Sequence, residues 1–159
     1  MTPVGDERWR WAWSAPDGNE AGHLGMIFVA ATGLVIVTAA LARPGHDLVV
    51  LTEPDAPWPR PGSMEIRASG LWADAIEEEP GARWTIGLEA FALAVDDPAD
   101  AMGRRVPLGF DLEWERAGPD HDDDRTPATV HGEVLVEDAA IDLDAPGWWQ
   151  SWGRPQGHR

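Results

Sequence analysis

The chain has 159 residues, 43% of them hydrophobic and 25% charged, with 12 basic against 28 acidic side chains and a formal net charge of −16. That length fits one domain with a sizeable core, and so negative a field argues against nucleic acid and anionic membrane surfaces as partners. Every basic residue is Arg; Lys, Cys and Tyr are absent, while Trp occurs 10 times, which excludes disulfides, thiolate metal sites, Schiff-base lysines and P-loop chemistry.

The opening "MTPVGDERWRW" places acids and Trp where a signal peptide needs an apolar run, so none is expected, and the cytoplasm is the default compartment. Glu7 to Trp13 alternates, with Trp9, Trp11 and Trp13 on one face and Arg8 and Arg10 on the other. Period two marks a half-buried strand. After the loop "SAPDGNEAG", Leu24 to Ala42 is uncharged over a length that would span a bilayer as a helix. The Thr32-Gly33 turn signal and the β-branched flanks predict a hairpin instead, Leu24 to Ala30 and Leu34 to Leu41. The turn "ARPGHD" leads into a strand at Leu48 to Thr52.

"EPDAPWPRPG" is too rich in Pro for a sheet interior and is expected to be a crossing loop. Ile66 to Trp72 reads as a short edge strand and Arg83 to Val95 as a long one. A helical turn is expected at "DDPADAMG", capped by Asp97 with Pro98 at its first position. Leu108 to Glu115 alternates again, and Thr129 to Val136 with Ala140 to Leu143 forms a last hairpin before "GWWQSWG". About nine strands with hardly any helix predict an all-β fold, a single antiparallel β-barrel over residues 1–153 with a disordered tail at 154–159.

The acidic run Asp120 to Asp124 lacks calcium-loop spacing and reads as a solvated loop. His131 and Glu133 share a strand face opposite Val130, Val134 and Val136, and alternation points them to solvent. His23, His46 and His158 sit beside glycines in turns or the tail. No paired-His metal motif occurs, and neither metal nor cofactor is expected. Glu89, in "TIGLEAFALAV", has two readings. It either faces outward to pair with Arg67 or Arg83, or acts as an acid or base inside an apolar barrel. Trp9, Trp11, Trp13, Trp84 and Trp114 lie on apolar strand faces and would wall a cavity for a large apolar ligand.

"RWTIGLEAFALAVDDPADA", "RVPLGFDLEWE" and "VHGEVLVEDAAIDLDAPGWWQSWG" together resemble an actinobacterial family of uncharacterised proteins. That family is similar to hydroxyneurosporene synthase (carotenoid 1,2-hydratase) and AttH-like proteins, relatives of lipocalin-like Diels–Alderases. The resemblance covers the first of two lipocalin-like barrels, and implies a lipocalin-like fold and a polyketide-, polyene- or terpenoid-like ligand. It also implies an apolar face left uncovered by the second barrel, and so a homodimer. In the family the closing motif is Asp-His-x-Trp-Gly. Here Trp149 and Gln150 stand at the Asp and His positions, while Trp152 and Gly153 match. Neither indole nor carboxamide transfers protons usefully, so hydratase-related lyase chemistry gives way to cyclisation or isomerisation by positioning. Gln150 and Glu89 would be the catalytic polar groups, with Gln150 and Trp152 facing the ligand and Trp149 the outside. A non-catalytic carrier or sensor is the alternative, as is a truncated interaction module.

Overall fold

A computed structural model describes residues 5–96 and 103–153. The expected helical turn at Asp97 and Pro98 and the expected tail at 154–159 lie outside these residues. The described chain is all β. Ten antiparallel strands form one sheet: β1 Glu7–Ser14, β2 Glu20–Val29, β3 Leu34–Leu41, β4 Leu48–Pro57, β5 Glu65–Ala68, β6 Leu71–Glu79, β7 Arg83–Val95, β8 Arg104–Arg116, β9 Thr126–Val136 and β10 Ala139–Trp152. Each strand pairs with the next except β4 with β5, and in addition β1 pairs with β10 and β4 reaches β7. Eight strands thereby close into a barrel-like ring.

β7 is shared unequally along one edge. Its last residues, Leu93 to Val95, pair with Leu48 to Val50 of β4. From Ala90 back to Arg83 the same edge pairs with β6. The β5–β6 hairpin therefore fills the wall where β4 and β7 diverge. It turns at Ser69-Gly70, with Gly70 at φ 71°, a conformation that costs glycine nothing. The sequence reading had a single strand at Ile66 to Trp72 and no strand through "ADAIEEE". The triple Glu hid a strand whose inner residues, Leu71, Ala73 and Ala75, are buried.

The uncharged run at Leu24 to Ala42 is the expected hairpin, β2 and β3. Leu24, Met26 and Phe28 face Ala39, Val37 and Val35 across the ladder, and all six are buried. No helix among the described residues is long and apolar enough to cross a membrane. β4 runs further than expected, into the Pro-rich segment. Val37 pairs with Glu53 and Val35 with Ala56, so Pro54 and Asp55 sit in a bulge. Beyond Val50 β4 has no ladder on its other edge, where Pro removes no hydrogen bond that the sheet needs.

β10 likewise continues through Pro146 and Gly147 to the Trp run. Gly147 lies opposite Trp13 on one side and Ala128 on the other. A Cβ there would meet the Ala12 carbonyl oxygen at 2.3 Å and Val130 Cγ2 at 2.6 Å. Only glycine lets the three backbones approach so closely.

Candidate functional site

The inner faces of β1, β7 and β8 bring the expected indoles together, but as a filled core. Trp9 stacks on Trp11 at 5.7 Å between ring centroids, and Trp84 meets both at 5.0 and 5.2 Å. Trp13 packs edge-on against Phe110 at 5.2 Å and Trp114 at 6.1 Å. These are the offset and edge contacts that aromatic quadrupoles favour. The Trp114 indole N–H donates to the Ala12 carbonyl at 3.0 Å, and that of Trp9 to Glu7 Oε1 at 2.7 Å. At one end of the ring the exposed Trp58 ring packs on Phe28 at 5.4 Å. That contact came from the Pro-rich segment, which the sequence reading treated only as a connection.

The opposite end is open. The β1–β10 ladder stops at Trp13 and Gly147, so the first half of β10 is paired with β9 alone. Ile141, Leu143 and Ala145 project from its inner face, in register with Val134, Gly132 and Val130. Across from them stand the Ser14–Pro16 loop, Ala21, and the β3–β4 turn from Leu41 to Pro44. Together they enclose an apolar cavity of about 490 Å³, with Trp13 and Val134 among its walls. That volume lies in the usual range for small-molecule sites. Outward-facing Asp142, Asp144 and Pro146 guard the unpaired β10 edge, as charges and proline do on edge strands. Of the tryptophans expected to wall a ligand, Trp13 borders this mouth. Trp9, Trp11, Trp84, Trp114 and Trp152 line neither the mouth nor the outer clefts.

Glu89 faces outward and is exposed. It pairs with neither expected arginine: Arg67 bonds Glu65, and Arg83 bonds Glu79 and Glu113. It sits instead in a shallow outer groove of about 620 Å³ between Trp72, Phe91 and Leu135, floored by Gly109. Phe91 carries the Arg105 guanidinium at 4.5 Å from its ring centroid. This groove is larger than the mouth, but its main apolar walls are half-exposed, whereas the mouth opens onto the buried core.

In the C-terminal run the structure reverses the expected sides. Trp149 lies opposite Trp11 and Ser151 opposite Trp9, on the inner face. Trp148, Gln150 and Trp152 face outward, opposite Ala12, Arg10 and Arg8. Trp149 is 6% exposed and Trp152 42%. Gln150 is nevertheless buried, because the acidic loop folds over it: its Nε2 donates to the Asp123 carbonyl at 2.6 Å. The same loop places Arg125 over the Trp148 ring at 4.6 Å. Asp120 to Asp124 is thus a lid over the outer end of β10 as well as a charged loop. Gln150 lies ten positions beyond Ala140, the β10 residue in the cross-strand row of Glu89, Gly109 and Leu135. At about 3.3 Å per residue the two proposed catalytic groups stand some 30 Å apart along the sheet.

The sequence reading missed a polar cluster on the outer face of β1 to β3. His23 is in mid-strand there, not in a turn. Arg10 Nη2 donates to both Glu20 oxygens at 2.6 and 2.7 Å, and His23 Nδ1 lies 2.6 Å from Glu20 Oε1. Thr38 Oγ1 is 3.5 Å from His23 Nε2. Burial, with the Arg10 charge, holds His23 below its ordinary pKa despite Glu20. Burial alone would raise Glu20, but the Arg10 bond and charge, with His23, bring it below the usual carboxylate value. Neutral His23 therefore donates from Nδ1 to Glu20. The line of Glu, His and Thr has the polarity of a proton relay, but it adjoins none of the clefts described above.

On β8 to β10 the outer face carries a row of carboxylates, Asp111, Glu133 and Asp142, directly opposite one another. Beside it His131 Nε2 lies 3.3 Å from Glu113 Oε2, so His131 and Glu133 do face out. No group of three or more His or acidic residues suited to hold a metal ion occurs among the described residues.

Comparison with protein-family models, curated proteins and solved structures finds no match to this chain.

Proposed function

We propose that this protein binds a hydrophobic small molecule in the mouth between β10 and the β3–β4 turn, as a carrier or sensor. The observation that carries this reading is the incomplete β1–β10 ladder, which leaves Ile141, Leu143 and Ala145 facing a cavity continuous with Trp13 and Val134. Apolar side chains held open on a rigid sheet favour an apolar guest, because its transfer from water is favourable. The resemblance to carotenoid hydratases and AttH-like proteins suggests the same polyene- or terpenoid-like class. Cyclisation or isomerisation needs Glu89 and Gln150 at one ligand, and their separation favours the carrier over the catalyst.

Nile red, a neutral apolar dye, tests the site. It should bind with a blue-shifted emission, Leu143→Arg should abolish that signal, and Phe91→Ser should leave it unchanged. The opposite result, loss with Phe91→Ser alone, would transfer the function to the outer groove and end the mouth reading.

We further propose a twofold self-contact through the outer face of β7 to β9. Phe91 and Leu135 are 51% and 46% exposed there, beside Arg105 and acidic Glu89 and Asp138. A two-fold axis would bring these mixed charges against each other. Light scattering at micromolar concentration should give a dimer that Leu135→Glu dissociates; a monomeric parent protein refutes the contact.

A further inference from the structure

The mouth has a cation at its edge. Arg43 opens the β3–β4 turn, its carbonyl accepting from the His46 N–H at 3.2 Å, with Pro44 next and Gly45 at φ 74°. Pro followed by a residue at positive φ is the signature of a type II turn, which needs little further ordering. The turn is pinned to β2 as well, through the Ala42 N–H bond to the Ala21 carbonyl at 2.7 Å. The backbone that presents Arg43 is therefore fixed.

Its side chain is less well satisfied. Arg43 lines both the apolar mouth and an adjoining polar cleft that holds Asp47, Arg104 and Glu137. In that cleft Glu137 is already bonded to Arg104. Arg43 takes part in none of the ion pairs among the described residues. Its Nε is buried and donates to no acceptor among the described residues. A guanidinium fork matches a carboxylate in shape and charge.

We infer that the ligand of the mouth is an apolar monocarboxylate, its hydrocarbon against Leu143, Ile141 and Trp13 and its carboxylate on the Arg43 guanidinium. This rests on the mouth being the binding site and adds the chemical class of its occupant. The rim carboxylates of Asp142 and Asp144 oppose an anion at long range. Salt screens that repulsion more than a close, partly buried pair, so the acid should bind more tightly as salt is added.

Calorimetric titration with dodecanoate and dodecanol, both below micelle formation, separates the two claims. The acid should bind at least about tenfold tighter than the alcohol, the worth of one charge-assisted bond. Arg43→Gln should remove that preference and leave the alcohol within about twofold, while Arg43→Lys keeps part of it. Retained alcohol binding shows that each variant is folded with its mouth intact. Equal binding of acid and alcohol by the parent protein, or a preference that survives Arg43→Gln, overturns the carboxylate assignment and leaves the mouth standing. Binding of neither probe overturns both.

Discussion

At the scale of single residues, the three C-terminal indoles are not equivalent. Trp149→Ala should cost roughly 3–5 kcal/mol, the usual loss for a buried Trp, read as a lower denaturant midpoint. Trp152→Ala should cost less, since that residue is 42% exposed. Alternation in the sequence sorted Trp148, Gln150 and Trp152 from Trp149 and Ser151 correctly. Which set faced inward depended on the pairing of Trp149 with Trp11, a long-range register that local pattern does not carry. Arg43 was invisible for a similar reason: a turn residue shows its importance only when the opposite wall is known. His23 has a measurable consequence. Its folded-state pKa lies below its unfolded value, so the unfolded chain binds the proton more readily. Stability is then full above about pH 6.5 and falls as the pH drops from there toward the depressed value. Glu20, also depressed, adds a second loss at lower pH, beginning near the ordinary carboxylate range. His23→Gln should erase the first limb of a stability profile against pH and keep the second; an unchanged first limb would show that another group titrates there.

Among the elements, the long alternating strands were the most legible. Arg83–Val95 has the bounds that its pattern predicts, because every inner residue from Trp84 to Ala94 is apolar and buried and leaves no other register open. The C-terminal end of β4 and β6 beyond Trp72 were not legible, since Pro and Glu runs read as loop unless the unpaired edge that tolerates them is known. The mouth follows from a similar mismatch: β10 outruns β1, and neither strand's length is marked by composition. The carboxylate row across β8, β9 and β10 gives a prediction at this scale. Like charges directly opposite in a sheet destabilise it. Glu133→Gln should therefore raise the melting temperature at low ionic strength, with the gain shrinking in 1 M salt, where the screening length is about 3 Å. A loss of stability would mean that the row is held by something other than water and neighbouring residues.

For the whole molecule, closure of the ring depends on two seams. One joins β4 to β7 over three residue pairs. The other joins β1 to β10, placing Arg8 opposite Trp152. All other pairings are between strands adjacent in the chain and can form as local hairpins. Bringing distant segments together demands loop-closure entropy before any contact rewards it. We predict that hairpins such as β2–β3 and β7–β8 assemble first and that the β1–β10 seam zips after the rate-limiting barrier, an order that refolding and unfolding rates of seam variants check. A mutation in that seam would weaken the native state without touching the transition state. It would speed unfolding and leave the refolding rate nearly unchanged. On that order the tryptophans of β1 and β10 would act as a latch, setting how long the closed ring persists and having little say in how quickly it forms.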